Sequence, residues 1–197
     1  MPIALVVEYD GSDYYGWQAQ PGLKTLQGTL EAALSRVANE PVSVICAGRT
    51  DTGVHAFNQV VHLSPHVSRS SRAWLHGTNT YLPKDMCVRW SGEMPETFHA
   101  RYSAIARRYR YVIDNTSIRP ALSRRHVAWQ YRPLNAALMQ ESAQCLIGEH
   151  DFTSFRSIEC QSASAMRCVT SIDIKRHLDR VIIDITANAF LHHMVRN

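Results

Sequence analysis

The hydrophobic period of the chain switches repeatedly before Trp90, and the order of those switches leaves few topologies open. Ile3 to Glu8 is rich in β-formers and reads as a strand, and Tyr9-Asp10-Gly11-Ser12-Asp13 is a dense turn signal. Leu26, Leu30, Ala33, Leu34 and Val37 recur at helical spacing, with Thr25 placed to cap the start and Pro41 beyond the end, so 25–38 reads as a helix. Strands are expected over 42–47 and 58–64, a second helix over 72–82 and a strand over 86–90. The resulting order, β-α-β-β-α-β, is the ferredoxin-like split unit.

The second half has a related rhythm. Strands are expected over 107–113, 127–131, 169–175 and 181–187, the last two joined by a tight turn near Asp179. A helix is expected over 134–147, ended by Gly148, with Met139 and its neighbours in the core; 188–197 also reads as helical. The expected class is α+β: two ferredoxin-like halves, 1–100 and 101–197, sharing a largely antiparallel sheet with helices on one face.

Composition narrows the functional classes. The chain has 197 residues, 45% of them hydrophobic and 19% charged, which suits a folded core and argues against disorder. A net charge of +4 favours an anionic partner only mildly. Five widely spaced cysteines without a C-x-x-C pair argue against a disulfide framework or a zinc site and suit a reducing cytoplasm. No apolar run is long enough to span a bilayer and no signal peptide is evident, so no membrane association is expected.

Chemistry concentrates in Ala47-Gly48-Arg49-Thr50-Asp51-Thr52-Gly53-Val54-His55-Ala56, a glycine-flanked loop between two apolar strands. Asp51 is its only carboxylate. Arg49, two residues earlier, would favour the ionised form, which suits a nucleophile or base. The competing reading is an Asx-turn at Asp51 with Arg49 in water.

Gly48-Arg49-Thr50-Asp51-x-Gly53-Val54-His55 resembles the catalytic loop of the tRNA pseudouridine synthase A (TruA) family. Glu8-Tyr9-Asp10-Gly11 with Tyr15-Gly16-Trp17-Gln18 is similar to the family's N-terminal strand and loop. Phe98-His99-Ala100-Arg101 and Arg107-Arg108-Tyr109-Arg110-Tyr111 are similar to its middle motifs. Asp151-Phe152-Thr153-Ser154-Phe155 and the run from Asn188 to Asn197 are similar to later ones, in family order.

The resemblance implies the pseudouridine synthase fold and the isomerisation of uridine to pseudouridine at positions 38 to 40 of the tRNA anticodon stem-loop. It implies Asp51 as the catalytic aspartate and Tyr109 packed on the target base. Arg49 and Arg196 are implied near the aspartate and the RNA, and the partners are tRNA and a second copy in a homodimer. The reaction is redox-neutral and releases no phosphate, so neither a cofactor nor a metal is expected. The family continues past the last motif, so the chain ending at Asn197 reads as C-terminally truncated, its activity in doubt.

Between Arg101 and Arg132 there are eight arginines and a single acid, Asp114, with tyrosines and tryptophan interleaved. That is the composition of an RNA surface, and Arg101, Arg107, Arg108 and Arg110 are its candidate contacts. In a strand, Arg107, Tyr109 and Tyr111 share one face and Arg108 and Arg110 the other, so these arginines cannot all meet one RNA. His192 and His193 would diverge by about 100° on a helix, which disfavours a metal pair, and His55 reads as a structural bond to loop backbone. Two other functions compete: a non-catalytic RNA-binding module (or an inactive fragment of the synthase), which needs the arginines but not Asp51, and a metal-dependent hydrolase using the histidines.

Overall fold

The computed structural model describes residues 1–158, 160 and 162–197. Backbone proximity divides the chain into two compact units, Met1–Ala104 and Ile105–Asn197.

In the first unit β1 (Ile3–Tyr9) is central, antiparallel to β3 (Ala56–Leu63) on one side and β4 (Met86–Glu93) on the other. β2 (Ile45–Cys46) lies beyond β3, so the order is β2-β3-β1-β4, the arrangement of the split unit. The helix α1 (Leu26–Ala38) buries Leu26, Leu30, Ala33, Leu34 and Ala38. Thr25 caps it by accepting from the Gly28 N–H, and Asn39, left-handed at φ 59°, ends it. Leu26, Leu30, Leu34 and Ala38 join Ile3, Leu5, Val7, Tyr9, Trp17, Val61 and Trp74 in one core.

Two elements differ from their sequence patterns for local reasons. Val42 and Val44 are buried, but only Ile45 and Cys46 of the strand expected over 42–47 enter the ladder. The Val42 N–H donates to Ser35 Oγ at 3.0 Å and the Val44 N–H to Glu31 Oε1 at 2.9 Å, so side chains of α1 take the place of a strand partner. The helix expected over 72–82 is present over 71–81, but its middle, Ala73–Gly77, widens to a π-helix before α2 (Thr78–Tyr81). Gly77 lies where this segment meets α1: a Cβ there would sit 3.1 Å from Val37 Cγ2.

The second unit is a five-stranded sheet in the order β6-β5-β9-β8-β7. Its strands are β5 (Arg107–Asp114), β6 (Ala128–Trp129), β7 (Gly148–Asp151), β8 (Met166–His177) and β9 (Arg180–Ala187). Among the described residues only β5 and β6 pair in parallel. The expected α+β class with antiparallel sheets is present, and the strands of each half pair within that half. The second half departs from the split pattern, because its one α-helix among the described residues is α3 (Ala136–Ala143). Gly148, expected to end a longer helix, has φ +106° and opens β7. The stretch 188–197 is a run of turns: His193 takes φ 63°, and only Asn197 N–H closes a bond back four residues, to His193 C=O.

The helix α3 packs one face on β8, with Ala136, Met139 and Ala143 partly buried against the second core. Gln140 completes the edge of β8, accepting from Ile174 N–H at 2.6 Å and donating to Ile172 C=O at 3.3 Å. Leu138 points away from that core and is 58% exposed, whereas Leu30 is fully buried. Leu30→Ala is therefore expected to lower unfolding stability by about 2–5 kcal/mol and Leu138→Ala by less than about 0.5 kcal/mol, as read by urea denaturation. Equal effects would mean that the two helices are packed alike.

Candidate active site

The loop that joins β2 to β3 is fixed from beneath by buried polar side chains. Thr50 is buried, and its Oγ1 lies 2.8 Å from the Tyr9 hydroxyl at the end of β1. The Thr50 C=O accepts from Trp17 N–H at 2.9 Å, and the Gly48 C=O accepts from Gln59 Nε2 at 2.6 Å. Both residues flanking Arg49 are thus tied to different parts of the first sheet, while Arg49 itself is exposed.

Asp51 opens a tight turn. Its backbone C=O accepts from Val54 N–H at 3.1 Å, and Gly53 supplies the left-handed residue at φ +79°. The turn is thus closed by backbone, and the Asp51 side chain is half-buried. Two glycines let neighbouring chain approach it. A Cβ on Gly16 would meet Thr50 O at 3.0 Å, and one on Gly11 would meet Val54 O at 2.0 Å. The Gly11 N–H donates to His55 Nδ1 at 3.1 Å, which gives His55 the structural role read from sequence. The same nitrogen lies 3.0 Å from Asp10 Oδ1. Nearby, burial pushes the Cys46 thiol up to about 11, although the charges of Arg49 and Arg101 pull the other way.

In the second unit the strand period sorts the candidate residues as expected. Tyr109 and Tyr111 face the same side as Ile185 and Ile183, their partners on β9. Tyr109 meets the Phe190 ring edge-on at 5.0 Å, and Arg107 Nη1 donates to the Asn188 C=O at 2.7 Å. Asn188 is itself pinned to β8: its N–H donates to the Cys168 C=O and its Oδ1 accepts from Cys168 N–H. Arg108 and Arg110 lie on the other face, around Asp184. Arg110 grips that carboxylate with two bonds, at 3.0 and 2.8 Å, and Arg108 Nη2 is 3.2 Å away. The bonds from Arg110, foremost, hold the Asp184 carboxyl below the usual range.

Arg196 is exposed within the final turns. There the rings of His192 and His193 lie 4.0 Å apart at 33°, where a helix would have spread them. The left-handed His193 folds the two side chains together. The motif from Asp151 to Phe155 is a capped turn: Asp151 Oδ1 accepts from Thr153 N–H and Oγ1, and Phe152 is buried 5.9 Å from Phe155. Sequence reasoning did not single out Thr50, Gln59 or Phe190. Their roles depend on partners tens of residues away, and only the polarity of Gln59 within an apolar strand hinted at one.

The structure therefore holds a loop carboxylate on a rigid frame in one unit, and in the other an aromatic side chain whose face is opposite a bound arginine pair. A family described as tRNA pseudouridine synthase matches residues 5–103 and 142–197. A Legionella pneumophila (strain Corby) protein named tRNA pseudouridine synthase A is 66% identical over the whole chain, which spans 75% of that relative. Proteins of the same name from Photorhabdus laumondii and Escherichia coli (strain SMS-3-5) are 55% identical over 197 and 195 residues, which span 75% and 72% of their lengths. With a match of this extent through both units, the chain belongs to the tRNA pseudouridine synthase family and is by kinship an isomerase that acts on tRNA.

Proposed function

We propose that the chain isomerises uridine to pseudouridine at positions 38 to 40 of the tRNA anticodon stem-loop, with Asp51 as the nucleophile. The observation that carries this reading is the framing of Asp51. Its neighbour Thr50 is locked by a buried hydroxyl pair and its own backbone closes the turn, so the carboxylate is delivered by a rigid support. In the reaction the N1–C1′ bond breaks, the base turns, and a C5–C1′ bond forms. The C5 proton leaves and N1 gains one, so atoms and charge balance without an electron carrier.

A stacked uridine is closed to attack, and the base must leave the stem before the carboxylate can reach it. Tyr109 offers an aromatic surface for the flipped pyrimidine, and the edge-on Phe190 fixes the orientation of that ring. Arg49 and Arg196, both exposed, supply positive charge for the RNA, with Arg101 and Arg107 as further contacts. Arg108 and Arg110, on the opposite face from Tyr109, touch phosphate backbone away from the flipped base. The division of labour places the catalytic loop in 1–100 and base recognition in 101–197. A homodimer working in the cytoplasm completes the reading; no helix among the described residues is long and apolar enough to cross a membrane.

The test is tritium release from tRNA labelled at uridine C5. Asp51→Ala is expected to reduce release to background while tRNA affinity stays within about twofold. Release by Asp51→Ala at the wild-type rate would remove Asp51 from the chemistry. Tyr109→Leu is expected to lower kcat/KM by about tenfold or more, from lost stacking. Arg108→Ala should leave kcat unchanged and reduce the slope of log affinity against log salt by about 1. A fall in kcat for Arg108→Ala as large as that for Tyr109→Leu would contradict the two-face assignment.

A further inference from the structure

His62 is a buried polar side chain of the first unit that the loop framework does not use. It sits on β3, opposite Ile45 of β2 and Ala4 of β1, and is 7% exposed. Its Nδ1 accepts from the Ala100 N–H at 3.2 Å. The ring also meets Phe98 edge-on at 6.0 Å and His99 at 4.8 Å. From His99 the contacts run outward. Its ring stacks on Tyr102 at 4.2 Å, its Nδ1 accepts from Tyr102 N–H, and its N–H and C=O both bond Ser103. Arg101 lies over the Tyr102 ring at 5.7 Å, and its charge reaches Cys46, two residues before Gly48.

We infer that His62 is a positioning residue for RNA binding: its neutral ring, through Ala100 and His99, holds the Phe98–Ser103 turn so that Arg101 and Tyr102 face the RNA beside the catalytic loop. The inference rests on the reading of Arg101 as an RNA contact. A neutral ring with Nδ1 unprotonated is the form that can accept from Ala100, because the charged ring carries a proton on both nitrogens.

Burial, foremost, and then the neighbouring His99 push the His62 pKa below 6.5, while a backbone bond with Ile45 opposes them. The folded state therefore favours the neutral ring. The tie is complete above about pH 6.5 and is lost as pH falls through the lower folded value. The ionisable groups around the ring are His99, Arg101 and Tyr102 on the turn and Cys46 on β2. The Cys46 thiol stays neutral throughout this window. Ala4 on β1 does not titrate.

The experiment combines imidazole nitrogen NMR, hydrogen exchange at the Ala100 amide and tRNA affinity, all on the full chain between pH 5 and 8. The wild type should show Nδ1 unprotonated at neutral pH, a protected Ala100 amide, and affinity that falls with the loss of that protection on acidification. His62→Asn offers an oxygen acceptor near the place of Nδ1 and does not titrate. It should keep Ala100 protected, bind within about threefold of wild type and lose the acid limb. His62→Leu should expose Ala100 and weaken tRNA binding about tenfold with kcat unchanged, and Arg101→Ala is expected to weaken binding to a similar extent. Wild-type Ala100 protection in His62→Leu, or an acid limb retained by His62→Asn, would overturn the inference. Unchanged affinity in Arg101→Ala would overturn the RNA reading of that arginine, while the Ala100 signal would still report on the tie itself.

Discussion

The arrangement of the first unit hinges on the buried hydroxyl pair of Tyr9 and Thr50. Tyr9 ends the central strand β1 and Thr50 lies in the loop between β2 and β3, 41 residues away, so one bond fastens the loop to the middle of the sheet. Buried polar groups left unpaired are costly, on the order of 1–3 kcal/mol each, and this cost disfavours other loop conformations. Gln59 reinforces the pair, since its Nε2 reaches both Gly48 C=O and the Tyr9 hydroxyl. Gly11 and Gly16 follow from the same constraint, because backbone packed against Thr50 and Val54 leaves no room for a side chain. Asp51 is held by neighbours that are polar, buried and mutually satisfied, which is how a short loop can carry a reactive group with little freedom to move.

The second unit solves a different problem with the same strand period. One face of its sheet is apolar and carries Tyr109, Phe190, Leu191 and Met194; the other carries Arg108, Arg110 and Asp184. The Arg–Asp cluster keeps two guanidinium groups in order on an open surface. Exposed ion pairs of this kind add little to stability, so the cluster matters more for presenting charge than for holding the fold. The two units also pack differently. The core of the first has many fully buried large side chains, whereas α3 in the second has none and depends on Gln140 at the edge of β8.

Much of this was legible from residue order. The apolar spacing of Leu26, Leu30 and Leu34 with Thr25 ahead of it specified α1 and its cap, and the alternation in 107–113 was enough to place Tyr109 and Arg108 on opposite faces. Both are local properties, set by backbone period and by the cost of exposing apolar surface. The same local logic misjudged 188–197, whose helical pattern gave way to turns with His193 left-handed. It also overextended β2, because Val42 and Val44 look like strand residues whether their amides bond to a strand or to Ser35 and Glu31 of a helix.

The sequence by itself determined the element order of the first half, the loop that carries Asp51 and the family to which those motifs lead. Each of these rests on residues close together in the chain, or on a run of motifs whose order is itself sequence information. Tertiary structure decided which distant side chains support that loop: Tyr9 with Thr50, Gly11 with His55, and His62 with Ala100, each separated by some forty residues. A tyrosine, a glycine or a histidine carries no local mark of its partner. That partner appears only when the strands pair in register and bring the two segments within hydrogen-bonding distance.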